Sequence, residues 1–124
     1  MEKELSVAVA WWADRLRELA KQDNGDAMTG ALMGLLASRM RPPSEEQIST
    51  FKVALTEAMR PRMAKPYLRS IVCDYHPDPA LREAAEKAGI EADCPPFPIK
   101  TGMRIEPGRV SVRYGYGAEE QVLL

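Results

Sequence analysis

The N-terminal segment places apolar side chains at the spacing of one helix face, which predicts a helix over residues 4–21. The stripe consists of Leu5, Ala8, Trp12, Leu16 and Leu19. Val7 and Trp11 lie at the margin of this stripe, and two interpretations of them stay open. Either the Trp11 ring packs against the C-terminal half of the chain, or the two residues contact a partner or a second copy, because aromatic side chains favour interfaces.

Two more helical patterns complete the first half of the chain. Residues 27–40 are apolar almost all round, which is typical of a buried central helix. Ser44 and Gln47 have the spacing of a capping box, so we expect the next helix to begin just after Ser44. Pro61 should end or kink that helix near Met59, because proline lacks the backbone N–H. Three basic residues at its end are expected to be solvated: Arg60, Arg62 and Lys65.

The second half of the chain changes to strand patterns around one short helix. Residues 66–75 have strand composition. Asp78 and Pro79 predict a helix start, as N-cap and first helical residue, and Gly89 predicts its end. Residues 91–98 hold three prolines, which predict an irregular crossing because proline cannot donate to a strand ladder.

The strongest local signal is a β-hairpin over residues 98–116. Pro107 and Gly108 occupy the two central positions of a type II turn, where proline and glycine are favoured. Because type II turns rarely close tight hairpins, a bulge beside the turn is one alternative. The simple register builds an apolar face from three cross-strand pairs: Ile105 with Val110, Met103 with Val112, and Thr101 with Tyr114.

The opposite face of this hairpin collects cations around two glycines, Gly102 and Gly115. The cations are Lys100, Arg104 and Arg113. Such a patch could bind phosphates or carboxylates, since arginine suits bidentate contacts with both. The alternatives are a solvated outer face that discourages aggregation, and a contact with an acidic protein partner.

The predicted order of elements is α-α-α-β-α-β-β, which makes an α+β fold in which three N-terminal helices precede a β-α-β-β unit with a C-terminal antiparallel hairpin. A parallel pairing of the first two strands would require a right-handed crossover. We expect residues 1–124 to form one domain. Its parts are a helical half at about 4–62, a β-α-β-β half at about 66–117 and a tail at 118–124. The apolar end of that tail could dock or fray.

Composition limits the classes of function. The chain has 124 residues, of which 45% are hydrophobic and 28% charged, as in an ordinary globular protein. Its formal net charge of -1 argues against a general polyanion binder. The N-terminal residues are charged, and no apolar run approaches the ~18 residues of a membrane span. We therefore expect a cytoplasmic protein with no membrane association and with its cysteines reduced.

The chain offers few groups for catalysis or metal binding. Cys73, His76 and Cys94 could be drawn into a metal site, but their spacing matches no zinc pattern. Cys73 and His76 could instead form a nucleophile pair, although positions three apart on a strand point to opposite faces. Glycine-rich phosphate loops are absent from the sequence, and no cofactor is predicted.

These observations favour a small, cytoplasmic, non-enzymatic interaction module that binds a protein partner or itself. The first alternative is a nucleic-acid- or anion-associated accessory protein that uses Lys100, Arg104 and Arg113. The second is a small thiol- or metal-dependent enzyme built on Cys73 and His76.

Overall fold

The computed structural model describes residues 1–18, 43–74, 76–90, 100–115 and 119–124. These ranges contain three helices, α1 (Glu2–Glu18), α2 (Glu45–Met63) and α3 (Pro79–Lys87), and a 3-10 turn at Pro66–Leu68. They also contain four strands, β1 (Ser70–Cys73), β2 (Thr101–Glu106), β3 (Arg109–Tyr114) and β4 (Gln121–Val122). The α+β class is confirmed. The expected helix over 27–40, the crossing over 91–98 and Cys94 lie outside the described residues.

The described strands form one antiparallel sheet in the order β1-β2-β3-β4. β1 runs antiparallel to β2, so the parallel pairing considered from the sequence does not occur. The sequence predicts three strands, and β4 is an addition. It forms where the C-terminal tail pairs with β3, and the Leu123 N–H donates to the Val110 carbonyl at 2.7 Å. The tail therefore docks on the sheet.

The β2–β3 hairpin has the register that the sequence predicts. Met103 lies opposite Val112, and the pairing continues without a bulge to Glu106 opposite Arg109. Gly108 has a φ of 75°, which a type II turn requires at its third residue. The apolar face is the buried one, and its four central members are almost inaccessible to solvent: Met103, Ile105, Val110 and Val112.

The core lies between this sheet face and the helices. α1 packs against α2 and against the hairpin strands, whereas α2 packs against α3. The described members of the predicted α1 stripe are all buried: Leu5, Ala8, Trp12 and Leu16. They join the buried residues of α2 and of the sheet in a single hydrophobic cluster.

α2 begins as predicted and ends later than predicted. The Ser44 hydroxyl accepts the Gln47 N–H at 3.1 Å, and the Gln47 side chain accepts the Ser44 N–H at 2.9 Å, which completes the capping box. Of the two expected outcomes near Met59, an end or a kink, the end is wrong, because the helix continues through Pro61 to Met63. A proline inside a helix costs about 3 kcal/mol, and the residues after it favour continuation, because Met63 is buried and Arg62 donates to the Leu68 carbonyl at 2.9 Å.

β1 is shorter than the predicted strand over residues 66–75. Pro66 occupies the first turn of the 3-10 segment, where its fixed φ is compatible with a helical turn. The Leu68 N–H closes that turn by donating to the Lys65 carbonyl at 2.9 Å. Strand pairing starts only at Ser70.

α3 has the two ends that the sequence predicts. The Asp78 side chain accepts a main-chain N–H of the first turn at 2.9 Å, and Pro79 is the first helical residue. Gly89 has a φ of 71°, and the Ile90 N–H donates to the Ala85 carbonyl at 2.8 Å. This is the Schellman pattern, in which glycine takes the left-handed position.

Candidate interaction surface

The sheet has an outer face, on the side opposite the buried one. Because side chains alternate along a strand, the outer positions follow from the register. They are Ser70, Val72, Gly102, Arg104, Ser111, Arg113 and Val122. This is the face on which the sequence places its candidate cations.

A shallow slot crosses the centre of the outer face. Gly102 lies directly between Val72 on β1 and Arg113 on β3, and these three residues define the slot. A Cβ atom added at Gly102 would meet nothing within 4 Å, so the floor of the slot is open. Val72 is 50% exposed on one side of it. Two strand spacings, about 10 Å, separate the Val72 and Arg113 backbones, which leaves room for an incoming side chain.

Lys100 lies just before β2, and its charge is held by an ion pair. Its Nζ is 2.5 Å from the Asp74 Oδ1, which reaches it from the end of β1. The backbone of Lys100 is in the left-handed region, with a φ of 58°. The structure thus places the Lys100 ammonium beside the end of β1, where a neighbouring carboxylate neutralises it.

Arg104 is also neutralised. Its Nε lies 2.7 Å from the Glu106 Oε1, two residues along the same strand face. This pair draws the Arg104 side chain along β2 and away from Gly102. A similar pair joins Arg109 to Glu120 at 3.1 Å, so cations and carboxylates alternate near the hairpin end.

Arg113 differs from the other two candidate cations. Its side chain is exposed, and no described residue forms a hydrogen bond or ion pair with its guanidinium. Of the three cations in the predicted patch, two are paired with carboxylates, and among the described residues only the Arg113 guanidinium beside the slot has no side-chain partner. A planar guanidinium beside an aliphatic side chain can hold a carboxylate in two parallel hydrogen bonds.

Trp11 and Val7, the interface candidates, lie on α1. The Trp11 ring is only 7% exposed and meets the Tyr114 ring edge-on, with centroids 5.9 Å apart. The Arg15 guanidinium covers the same ring at 4.4 Å, within the range of a cation–π contact. Val7 is half-buried against the core. In this structure the Trp11 ring thus packs on the C-terminal half of its own chain.

The candidate thiol of Cys73 and the candidate imidazole of His76 lie in different environments. Cys73 is buried on the inner side of β1, whereas His76 is exposed in the segment that leads to α3. Across the ranges that the structure describes, no group of three or more His, Cys, Asp or Glu side chains could hold a metal ion. Cys94, the third member of the predicted metal set, lies outside those ranges.

The sequence does not predict the junction that the structure shows between Arg62 and Asp78. The Arg62 Nη1 lies 2.7 Å from the Asp78 Oδ1, and its Nη2 donates to the Ser70 carbonyl at 2.5 Å. The Asp78 Oδ2 accepts the Val72 N–H at 3.3 Å. Arg62 is therefore partly buried, and its expected solvation is wrong. Only the capping role of Asp78 is visible in the sequence, because nothing local pairs it with Arg62.

A groove between α1 and α2 is another concave feature among the described residues. Its volume is about 330 Å³, and Leu5 and Val9 are among the residues that line it. The Glu2 and Arg60 side chains, which also line it, pair with each other at 3.4 Å. Because charges of both signs surround it, the groove does not select a ligand by charge.

No helix within the described ranges is long and apolar enough to cross a membrane.

Comparison with known proteins supports the fold. The BTG/Tob domain of FOG-3 from C. elegans, solved as a variant with two substitutions, matches with a TM-score of 0.66. The match has 16% sequence identity and covers 99% of this chain and 89% of that one. At this identity the similarity extends to the fold alone. No protein-family model matches the sequence, and neither does any curated protein.

Proposed function

We propose that the protein is a small, non-enzymatic interaction module of the cytoplasm, a single domain over residues 1–124 that binds a protein partner. The observation that carries this proposal is the slot on the outer face, with Gly102 as its open floor. Val72 supplies exposed apolar surface on one side, and Arg113 supplies an uncommitted charge on the other. Interfaces combine these two features, an apolar contact and arginine.

The chemistry of the slot indicates the kind of partner. A short extended segment with an Asp or Glu beside an aliphatic residue would place its carboxylate on Arg113 and its apolar side chain on Val72. Gly102 lets the backbone of that segment approach the sheet closely.

The nucleic-acid alternative has less support. Lys100 and Arg104 are each paired with a carboxylate, at 2.5 Å and 2.7 Å. Phosphate binding would have to displace both carboxylates, and polyanion binding depends on releasing counterions from many uncommitted cations. Nor do the described residues favour an enzyme, since Cys73 faces the core while His76 is exposed.

The proposal can be tested by selecting a phage-displayed random peptide library on the full chain. Enriched peptides should carry an acidic residue next to an aliphatic one. In fluorescence titrations of one such peptide, Gly102→Phe should abolish binding, because the new ring fills a position where nothing lies within 4 Å. Arg113→Gln should weaken binding about ten-fold through loss of a charge-assisted hydrogen bond.

Arg104→Gln is the matched control, because it removes a neighbouring arginine that is already committed to Glu106. It should leave peptide binding unchanged. Equal binding by the wild type and Gly102→Phe would contradict the proposal. Salt-dependent binding of a labelled single-stranded oligonucleotide, lost in an Arg104→Ala and Arg113→Ala double variant, would favour the nucleic-acid alternative instead.

A further inference from the structure

The two edges of the described sheet differ in how their outward backbone groups are satisfied. On β1, the Arg69 carbonyl accepts the Ile105 N–H of β2, so Ser70 and Val72 direct their backbone groups away from the sheet. The Ser70 carbonyl accepts from Arg62, and the Val72 N–H donates to Asp78. This edge is closed to another strand.

The edge at β4 is open. Leu123 bonds toward β3 through its N–H, so the alternating pattern directs the N–H and carbonyl of Val122 outward. The Val122 side chain is 56% exposed. Natural edges are commonly protected by charged side chains or proline, and positions 121–124 carry neither. Glu120, which directly precedes β4, is paired with Arg109.

We infer that β4 is a self-pairing edge, on which a second copy of this chain adds its own β4 in antiparallel orientation. A two-fold axis at Val122 lets each copy exchange the Val122 N–H and carbonyl with the other. The pairing is self-complementary, because the side chains of residues 121–124 carry no charge and the two Val122 side chains meet as an apolar cross-strand pair.

Because the edge at β1 is closed, pairing at β4 can join two copies but cannot continue into a filament. If β1 were open, β4 of one copy could add to β1 of the next, and the contact would repeat into a filament. The Arg62 and Asp78 side chains occupy that edge. Among the strands that the structure describes, only the pairing of β4 with β4 remains, and it ends at two copies.

Sedimentation of the full chain over a wide concentration range tests the inference. The wild type should form a dimer that dissociates on dilution, since two short strands make a small contact. Val122→Lys and Val122→Glu should each weaken the dimer about ten-fold or more, because the two-fold axis sets like charges opposite each other. An equimolar mixture of the two variants should recover a heterodimer, because only then do opposite charges meet.

Val122→Thr is the control, since threonine keeps the β-branched shape without charge. It should leave the dimer close to wild-type strength, while circular dichroism confirms that each variant is folded. A wild type that stays monomeric up to about 1 mM would overturn the inference. So would a dimer that Val122→Lys does not weaken, or a mixture that fails to recover. Peptide binding at the slot does not depend on this edge, so the two proposals can fail separately.

Discussion

The β2–β3 hairpin and the junction at β1 lie in the same sheet but are built in different ways. The hairpin joins residues that are close in the sequence, through a type II turn and an alternating apolar face. The junction joins α2, β1 and the start of α3, through one ion pair between residues 16 positions apart. Local backbone preferences hold the first region together, and long-range side-chain bonds hold the second.

The difference shows where each region is sensitive to substitution. A hairpin of this kind depends on the backbone conformation at its turn, where Gly108 has a positive φ. The junction depends on two particular side chains, because Asp78 is only 8% exposed and its charge needs a partner.

Arg62→Ala should lower the free energy of unfolding by about 3 kcal/mol, because it leaves the Asp78 carboxylate buried without its cation. Urea unfolding measures the change. Arg60→Ala is the matched control on the same helix, since Arg60 is exposed and its pair with Glu2 spans 3.4 Å. The control should cost less than about 1 kcal/mol. Equal costs at the two arginines would show that the junction does not hold β1 in place.

Gly108→Ala should destabilise the hairpin by about 1–2 kcal/mol, because alanine is strained at a φ of 75°. Gly102→Ala should be neutral or slightly stabilising, since glycine weakens a strand interior. The two sites are matched, because an added Cβ meets nothing within 4 Å at either one. Thermal unfolding of both variants isolates the backbone effect. Equal stability of the two variants would show that the positive φ of Gly108 does not set the cost of adding a Cβ atom there.

Lys100→Gly should be more stable than Lys100→Ala by about 1 kcal/mol, because only glycine relieves the left-handed backbone at that position. Both variants lose the ion pair with Asp74, so the difference between their free energies of unfolding contains no contribution from that pair. Urea unfolding of the two proteins gives the comparison. The opposite ranking, with alanine more stable, would mean that residue 100 does not hold its positive φ in solution.

Glu4 links α1 to the hairpin turn and gives the smallest expected effect. Its own N–H, together with the Gly108 N–H at 3.3 Å, lowers the pKa of the Glu4 carboxyl. Because the folded pKa lies below the unfolded one, this contribution to stability is complete above the unfolded pKa. It is lost as the pH falls through the folded pKa. NMR titration of the carboxyl carbon should show the lowered value.

The Arg17 side chain provides the control for that titration. Hydrogen bonding to Arg17 lowers the pKa of Glu45, so Arg17→Gln should return the pKa of Glu45 toward its ordinary value. The same substitution should leave the pKa of Glu4 unchanged. An ordinary pKa for Glu4 in the wild type would show that the backbone N–H groups of Glu4 and Gly108 do not hold the carboxylate in solution.

Much of the fold was predictable from the sequence where the signal is local. The capping box at Ser44, the Asp78 cap and the full hairpin register each depend on residues within one turn or one strand pair. The end of α2 was not predictable, because its continuation past Pro61 depends on what Arg62 and Met63 contact elsewhere. β4 was missed for the same reason, since its pairing exists only once β3 is in place.

The candidate site divides in the same way. The alternation of the hairpin by itself predicts that Lys100, Arg104 and Arg113 share a face. In the structure Arg104 and Arg113 occupy outer positions of the strands, and Lys100 lies just before β2. Glu106 shares the strand face of Arg104, so their pair could have been foreseen. The charge balance of the face needed the tertiary structure. Asp74 reaches Lys100 only because β1 pairs with β2, across a sequence separation that no local pattern spans. Local geometry fixed which residues align, and long-range packing decided which of their charges remain uncommitted.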